Sequence, residues 1–143
     1  MGKPVIGILA GLIATTFLEA QTISFGLGDS AFETSLNEIG ASATLDMPGF
    51  TAEVSLQWGV SADQVKAIVS QGLQPAEVYL AAGLASVSGK PFAVVVETYK
   101  KNKAKGWGAI AKELGIKPGS KEFKSLKDKS AASSGKLKKG KKK

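Results

Sequence analysis

The chain of 143 residues contains no cysteine, no histidine and no arginine, and each absence excludes a class of function. Without Cys and His, zinc has neither thiolate nor imidazole ligands, and neither a Ser-His-Asp triad nor a Cys-His pair can form. A carboxylate site for a hard cation remains open to such a sequence. No disulfide can hold the fold together, so a hydrophobic core must do so.

The missing arginine also shapes the basic character of the chain, because all 19 basic residues are lysines. Residues 1–99 carry three lysines and nine acidic residues, whereas residues 100–143 carry sixteen lysines and three acidic residues. A lysine ammonium is a hydrated point charge and lacks the planar fork with which arginine contacts bases and phosphates. The basic end therefore suits loose, sequence-blind attraction to a polyanion. The acidic body and the basic end can also attract each other, within one chain or between two.

The first twenty residues have the features of a secretory signal peptide. Lys3 supplies the positive start, Val5–Leu18 is an uncharged and largely apolar run, and Ala20 precedes the expected cut. The run is too short to span a bilayer, which needs about 20 apolar residues. We therefore predict a periplasmic or secreted protein without a transmembrane span in the mature chain. The alternative is a buried or amphipathic N-terminal helix of a cytosolic protein.

Residues 21–47 form the predicted irregular N-terminal segment. Ser30 and Glu33 have the spacing of a capping box, which predicts a short helix. The apolar residues from Ile39 to Leu45 then alternate with small or polar ones, which predicts an extended segment.

Residues 48–127 are predicted to be a helical domain. Gly59-Val60 and Gly115-Ile116 have the pattern of a helix end, a glycine followed by an apolar residue. A weak repeat aligns residues 78–84 with residues 110–116, and it predicts two helical hairpins that stack on each other. The fold class is therefore all-α, a compact bundle of four to five short helices.

Residues 128–143 consist almost entirely of Ser, Ala, Gly and Lys, and Leu137 is their one large apolar residue. Such a segment buries too little apolar surface to offset its conformational entropy. We predict a disordered, lysine-rich tail.

The segment 106–123 reads GWGAIAKELGIKPGSKEF and follows the lysine-rich stretch YKKNKAK. It resembles the GWGxIAKxLGIKPGS signature of a family of uncharacterised secreted proteins of Gram-negative bacteria. The resemblance extends over roughly residues 50–127. It implies export and a helical fold, and it carries no catalytic residue to this sequence.

The same segment also resembles the first half of a helix-turn-helix motif that begins at Trp107. Its second half departs, because Lys121 and Lys124 stand where apolar residues belong and Pro118 interrupts the start of the recognition helix. A cytosolic nucleic-acid-binding protein is therefore the alternative function.

The leading hypothesis is a non-enzymatic interaction module, with no catalytic, cofactor or metal site. The scattered acidic residues have no spacing that selects a site. Trp58 and Trp107 are expected in the core, and the alternative is that they are ligand-stacking platforms. The candidate partner is an anionic polymer, an anionic membrane surface or an acidic protein, and the alternative for the lysines is a merely solubilising surface. The candidate polyanion-binding residues are Lys100, Lys101, Lys103, Lys105, Lys136, Lys138, Lys139, Lys141, Lys142 and Lys143.

Overall fold

The computed structural model of the protein describes residues 22–141, and this part of the chain is all-α without a β-strand. Its helices are α1 (Ser30–Leu45), α2 (Met47–Trp58), α3 (Ala62–Ser70), α4 (Pro75–Ser88), α5 (Phe92–Lys101), α6 (Gly106–Glu113) and α7 (Lys121–Lys141), with a 3₁₀ turn at Lys103–Lys105. The predicted signal peptide lies outside the described residues. Over residues 22–141, no helix combines the length and the apolar character needed to cross a bilayer.

The two predicted glycine stops and a capping box define helix boundaries between α2 and α6. Gly59 ends α2 with a φ of 76°, and Val60 turns back into the core. Ser61 and Gln64 form a capping box at the start of α3. Gly115 ends the last turn of α6 with a φ of 88°, and Ile116 is buried, so both predicted glycine-plus-apolar stops are confirmed.

The predicted extended segment before Met47 is wrong, because α1 is continuous from Ser30 to Leu45. Ile39 and Ala43 lie one helical turn apart and are both buried, whereas Leu45 is 69% exposed. Ile39 and Ala43, two of the alternating apolar residues, thus belong to the buried face of a helix. The cap is Asp29 and not Ser30, because the Asp29 carboxylate accepts the Phe32 N–H at 3.0 Å.

The irregular segment is short and has a defined path. Residues 23–27, the N-terminal strap, lie along α1 with Phe25 and Leu27 buried. The Glu33 carboxylate accepts the backbone N–H groups of both residues, at 3.1 and 2.8 Å. The Asn37 amide accepts the N–H of Ile23 at 2.7 Å and donates to its carbonyl at 2.9 Å. Side chains of α1 thus satisfy backbone groups that a β-strand neighbour would otherwise satisfy.

The strap also closes the first turn of α6. The Phe25 carbonyl accepts the N–H groups of Trp107 and Gly108 at 3.1 and 3.2 Å. A Cβ atom built on Gly108 would overlap the carbonyl oxygen of Gly26. This close approach of two backbones requires glycine at position 108.

We expect Gly108→Ala to lower the free energy of unfolding by about 2 kcal/mol, because the added methyl group pushes the strap away from α6. Denaturant unfolding measures the change. Gly135→Ala is the matched control, since a Cβ there meets nothing within 4 Å and alanine favours the helix. Equal stability of the Gly108→Ala variant and the wild type would show that the strap does not bind α6 in solution.

The predicted disordered tail is wrong for residues 128–141, which continue α7. Ser120 caps the start of the helix, because its hydroxyl accepts the Phe123 N–H at 3.1 Å. Its buried face follows helical spacing and consists of Phe123, Leu126, Ser130, Ser133 and Ser134, with Leu137 partly buried beyond them. Composition alone concealed this face, because serines occupy the positions where apolar residues are usual.

Helix α7 packs between α1 and α2 and across α4. Leu126 sits against Gly83, where a Cβ atom would overlap its methyl group. Gly83 therefore lies in the middle of α4 to admit Leu126, whereas Gly115 ends a helix. The two glycines are not equivalent, so the predicted repeat of two hairpins does not describe the fold.

A chain truncated after Lys129 should melt at least about 10 °C lower than the full chain. It loses the buried serines and leaves the Glu53 carboxylate unpaired in the interior, which costs about 3 kcal/mol or more. Thermal unfolding followed by circular dichroism measures this. A chain truncated after Gly140 keeps every side-chain contact described for α7 and should melt like the wild type. A melting temperature unchanged by the longer truncation would mean that α7 is undocked.

Candidate functional site in the lysine-rich C-terminal half

The first feature of this region is a buried ionic contact between α7 and α2. The Glu53 side chain is only 6% exposed. One carboxylate oxygen accepts the Ser133 hydroxyl at 2.7 Å, and the other pairs with the Lys136 ammonium at 3.1 Å. We call this set the Glu53 clamp. Both oxygens of a buried charge are thereby satisfied, which is the condition under which such a charge is tolerated.

A second contact of the same kind joins α7 to α1. The Glu38 carboxylate accepts the Ser134 hydroxyl at 2.6 Å and pairs with the Lys138 ammonium at 3.2 Å. We call this set the Glu38 clamp. Each clamp therefore takes one serine and one lysine from adjacent turns of α7, and the helix is held on both sides.

The Glu53 clamp extends inward to a buried tyrosine. The Tyr79 hydroxyl donates to Ser133 Oγ at 2.7 Å, while the Ser133 hydroxyl donates to Glu53. Burial raises the pKa of Tyr79 above its ordinary value, so the phenol stays protonated and remains a donor. A serine followed by a lysine three residues later, beside a tyrosine, is a set of groups that can act as a nucleophile and its base. Ser133 has no exposed surface, however, so no substrate reaches it while α7 is docked.

The second lysine-rich feature is the end of α5 with the 3₁₀ turn that follows it, which we call the lysine corner (Lys100–Lys105). Lys101, Lys103 and Lys105 are exposed, and Lys100 contacts the Gln71 side chain. Over the described residues, none of these lysines lies within salt-bridge distance of a carboxylate. Four ammonium groups within six consecutive residues thus form a positive patch without an ion pair among the described residues.

An aromatic pair fixes the lysine corner to the core. The Tyr99 and Trp107 rings stack with their centroids 4.1 Å apart. One oxygen of the buried Glu77 carboxylate accepts both the Tyr99 hydroxyl at 2.6 Å and the Trp107 indole N–H at 3.2 Å. Burial, together with the neighbouring Glu77 charge, raises the pKa of Tyr99. Trp107, like Trp58, belongs to the core as predicted, so the rings support the corner and do not offer a stacking platform.

The structure divides the predicted polyanion-binding lysines into two groups. The lysines of the corner and Lys139 have no carboxylate partner within residues 22–140, whereas Lys136 and Lys138 belong to the clamps. The side chains of Lys141–Lys143 lie outside the described part of the chain. The predicted attraction between acidic body and basic end is confirmed within one chain, with a further pair between Lys127 and Asp29 at 2.9 Å.

Most acidic residues of the described N-terminal part accept hydrogen bonds within the fold. Between residues 22 and 99, six of the eight carboxylates accept hydrogen bonds from the chain itself; they are Asp29, Glu33, Glu38, Asp46, Glu53 and Glu77. Asp63 and Glu97 are the exposed remainder. The sequence did not reveal this, since the donors are distant in sequence or are backbone groups. The folded protein therefore presents mostly lysines outward. No group of three or more acidic side chains within residues 22–141 is arranged to hold a metal ion.

A cleft of about 300 Å³ lies between the strap and α6. Its walls are the glycine backbones at positions 26, 28 and 108 with the apolar side chains of Leu27, Ile116 and Phe123. Lys112 is the charged residue among its lining residues. The cleft follows from the close approach of strap and helix that Gly108 permits.

The connection between α6 and α7 does not have helix-turn-helix proportions. It runs from Leu114 to Ser120, whereas that motif has a turn of about 3–4 residues. The inner face of α7 is also occupied by its contacts with α1, α2 and α4.

No family model, curated protein or solved structure matches this chain.

The pKa of Glu38 lies below its ordinary value of 4.5, because the Ser134 hydroxyl and then Lys138 stabilise the charged carboxylate. The clamp therefore adds stability above about pH 4.5 and loses it as the pH falls through the lowered pKa of the folded state. We expect Ser134→Ala to raise the Glu38 pKa toward 4.5, as followed by NMR titration of the carboxyl carbon. Ser125→Ala, in the same helix but outside both clamps, should leave it unchanged. An unmoved Glu38 pKa in Ser134→Ala would show that the hydroxyl does not bind the carboxylate.

Proposed function

We propose that the protein is a non-enzymatic binding module that holds an anionic polymer on the exposed lysines of its basic C-terminal part, residues 100–143. The observation that supports this most directly is the division of charge in the fold. Most carboxylates of residues 22–99 accept internal hydrogen bonds, while the lysine corner has no carboxylate partner within the described residues. The outward field of this surface is therefore positive at short range.

The binding mechanism is electrostatic and insensitive to sequence. Each lysine that contacts a phosphate or sulfate releases a condensed counterion, and the affinity falls as salt rises. Lysine ammonium groups do not make the fixed bidentate contacts with which arginine reads a base edge. The Tyr99–Trp107 stack holds the backbone of the corner in place. Binding therefore does not have to pay the conformational entropy of ordering this segment.

Export to the periplasm or beyond completes the proposal. It is supported by the signal-like residues 1–20 and by the resemblance to secreted proteins of Gram-negative bacteria. A periplasmic or secreted protein would meet anionic polymers at the cell envelope. An anionic membrane surface or an acidic protein offers the same chemistry. No specific observation favours the helix-turn-helix alternative.

The test compares two double variants that lose equal charge. We expect Lys103→Gln/Lys105→Gln to weaken binding of a short labelled DNA duplex of arbitrary sequence. The slope of log affinity against log salt should fall by about 1.8, since each phosphate contact contributes about 0.9. Fluorescence anisotropy at several salt concentrations measures both quantities. Lys66→Gln/Lys90→Gln, which removes lysines outside the basic residues 100–143, should keep the wild-type slope.

Equal slopes in the two double variants would show that the lysine corner is not the binding surface. Absence of binding to the duplex, to polyphosphate and to anionic vesicles at low salt would refute the proposed function. Sequence preference that survives about 0.2 M salt would instead favour the helix-turn-helix alternative.

A further inference from the structure

The two clamps place internal carboxylates in competition with any external anion. Lys136 and Lys138 were both predicted to bind a polyanion, and each already faces a carboxylate of the same chain. Their side chains are nevertheless about half exposed, at 52% and 50%. Each ammonium is therefore within reach of a ligand that could replace its internal partner.

The two competitions are unequal because the carboxylates differ in burial. Glu53 is 6% exposed and shares the interior with Ser133 and Tyr79, so removal of Lys136 would leave a buried and unpaired charge. Such a charge costs several kcal/mol. Glu38 is 39% exposed and keeps the Ser134 hydrogen bond when Lys138 leaves, with water replacing the ammonium. An exposed pair of this kind contributes little stability.

We infer that Glu38 is an internal competitor that withholds Lys138 from the polyanion, and that a bound polymer displaces it while the Glu53 clamp stays closed. The inference rests on the proposed function and adds a regulation to it. In the free protein the lysine corner and Lys139 are available to a ligand, and Lys138 becomes available by exchange. Helix α7 remains docked throughout, because Ser133, Ser134 and Lys136 keep their partners.

The test uses Glu38→Gln, which preserves an acceptor for Ser134 but removes the charge that holds Lys138. We expect the affinity for the labelled duplex to rise at least about threefold at low salt, with a salt slope steeper by about 0.9. Asp63→Asn is the matched control, since it removes one negative charge that pairs with no lysine among the described residues. Lys138→Gln in the Glu38→Gln background should abolish the gain.

A second measurement does not depend on affinity. On addition of polyphosphate to the wild type, the NMR-measured pKa of Glu38 should rise as Lys138 leaves, while the melting temperature stays that of docked α7. If Glu38→Gln behaves like Asp63→Asn and the Glu38 pKa does not move on ligand binding, the inference fails although the proposed function stands. If no variant binds any polyanion, both fail. A large loss of melting temperature on binding would show that the whole helix is released, which also contradicts the inference.

Discussion

The fold depends on the polar seam between α7 and the pair α1 and α2. After Phe123 and Leu126, the fully buried residues of α7 are serines, which contribute almost no hydrophobic stabilisation. The second half of the helix is held instead by hydrogen bonds to carboxylates, each with a net contribution of about 1.5–3 kcal/mol when well formed. The seam is therefore specific. A shift of α7 by one turn would separate Ser133 and Lys136 from Glu53 and leave that carboxylate unpaired in the interior.

Small residues make this arrangement possible in two places. Gly83 lets Leu126 approach α4 closely, and Gly108 lets the strap approach α6. In both cases glycine permits a close contact, with a methyl group at Gly83 and with a backbone carbonyl at Gly108. A Cβ atom would prevent that contact. Both ends of the described chain are thus bound to other helices. Side chains of α1 hold the strap, and the two clamps hold α7 against α1 and α2. Neither end uses a disulfide or a β-ladder.

The sequence predicted the elements whose signals are local. The glycine stops at Gly59 and Gly115 depend on neighbouring residues, and both have the expected form. The path of residues 128–141 was not predictable from composition, because the partners that order them, Glu38 and Glu53, lie at least 80 residues away in sequence. The spacing of Ser130, Ser133, Ser134 and Leu137 was a helical stripe all the same. Hydrophobicity does not reveal this stripe, because three of its four positions are serines.

The candidate site likewise has one part that the sequence predicts and one part that depends on distant contacts. Composition identified the basic end, and the exposed lysine corner follows from it. Which lysines are free and which are paired depends on tertiary contacts, and no local pattern records them.

The use of carboxylates inside the fold changes how the surface responds to salt. Exposed lysines attract a polymer over about 8–10 Å at physiological ionic strength, and this attraction weakens as salt rises. The Glu53 carboxylate is buried and its contacts are screened less, whereas the Glu38 clamp is open to solvent on both partners. Rising salt therefore weakens both the binding of the external polymer and the Glu38–Lys138 pair. It has less effect on the contacts of Glu53 that position α7. The helix can carry exchangeable charges on its outer side because the charge that positions it lies in the interior.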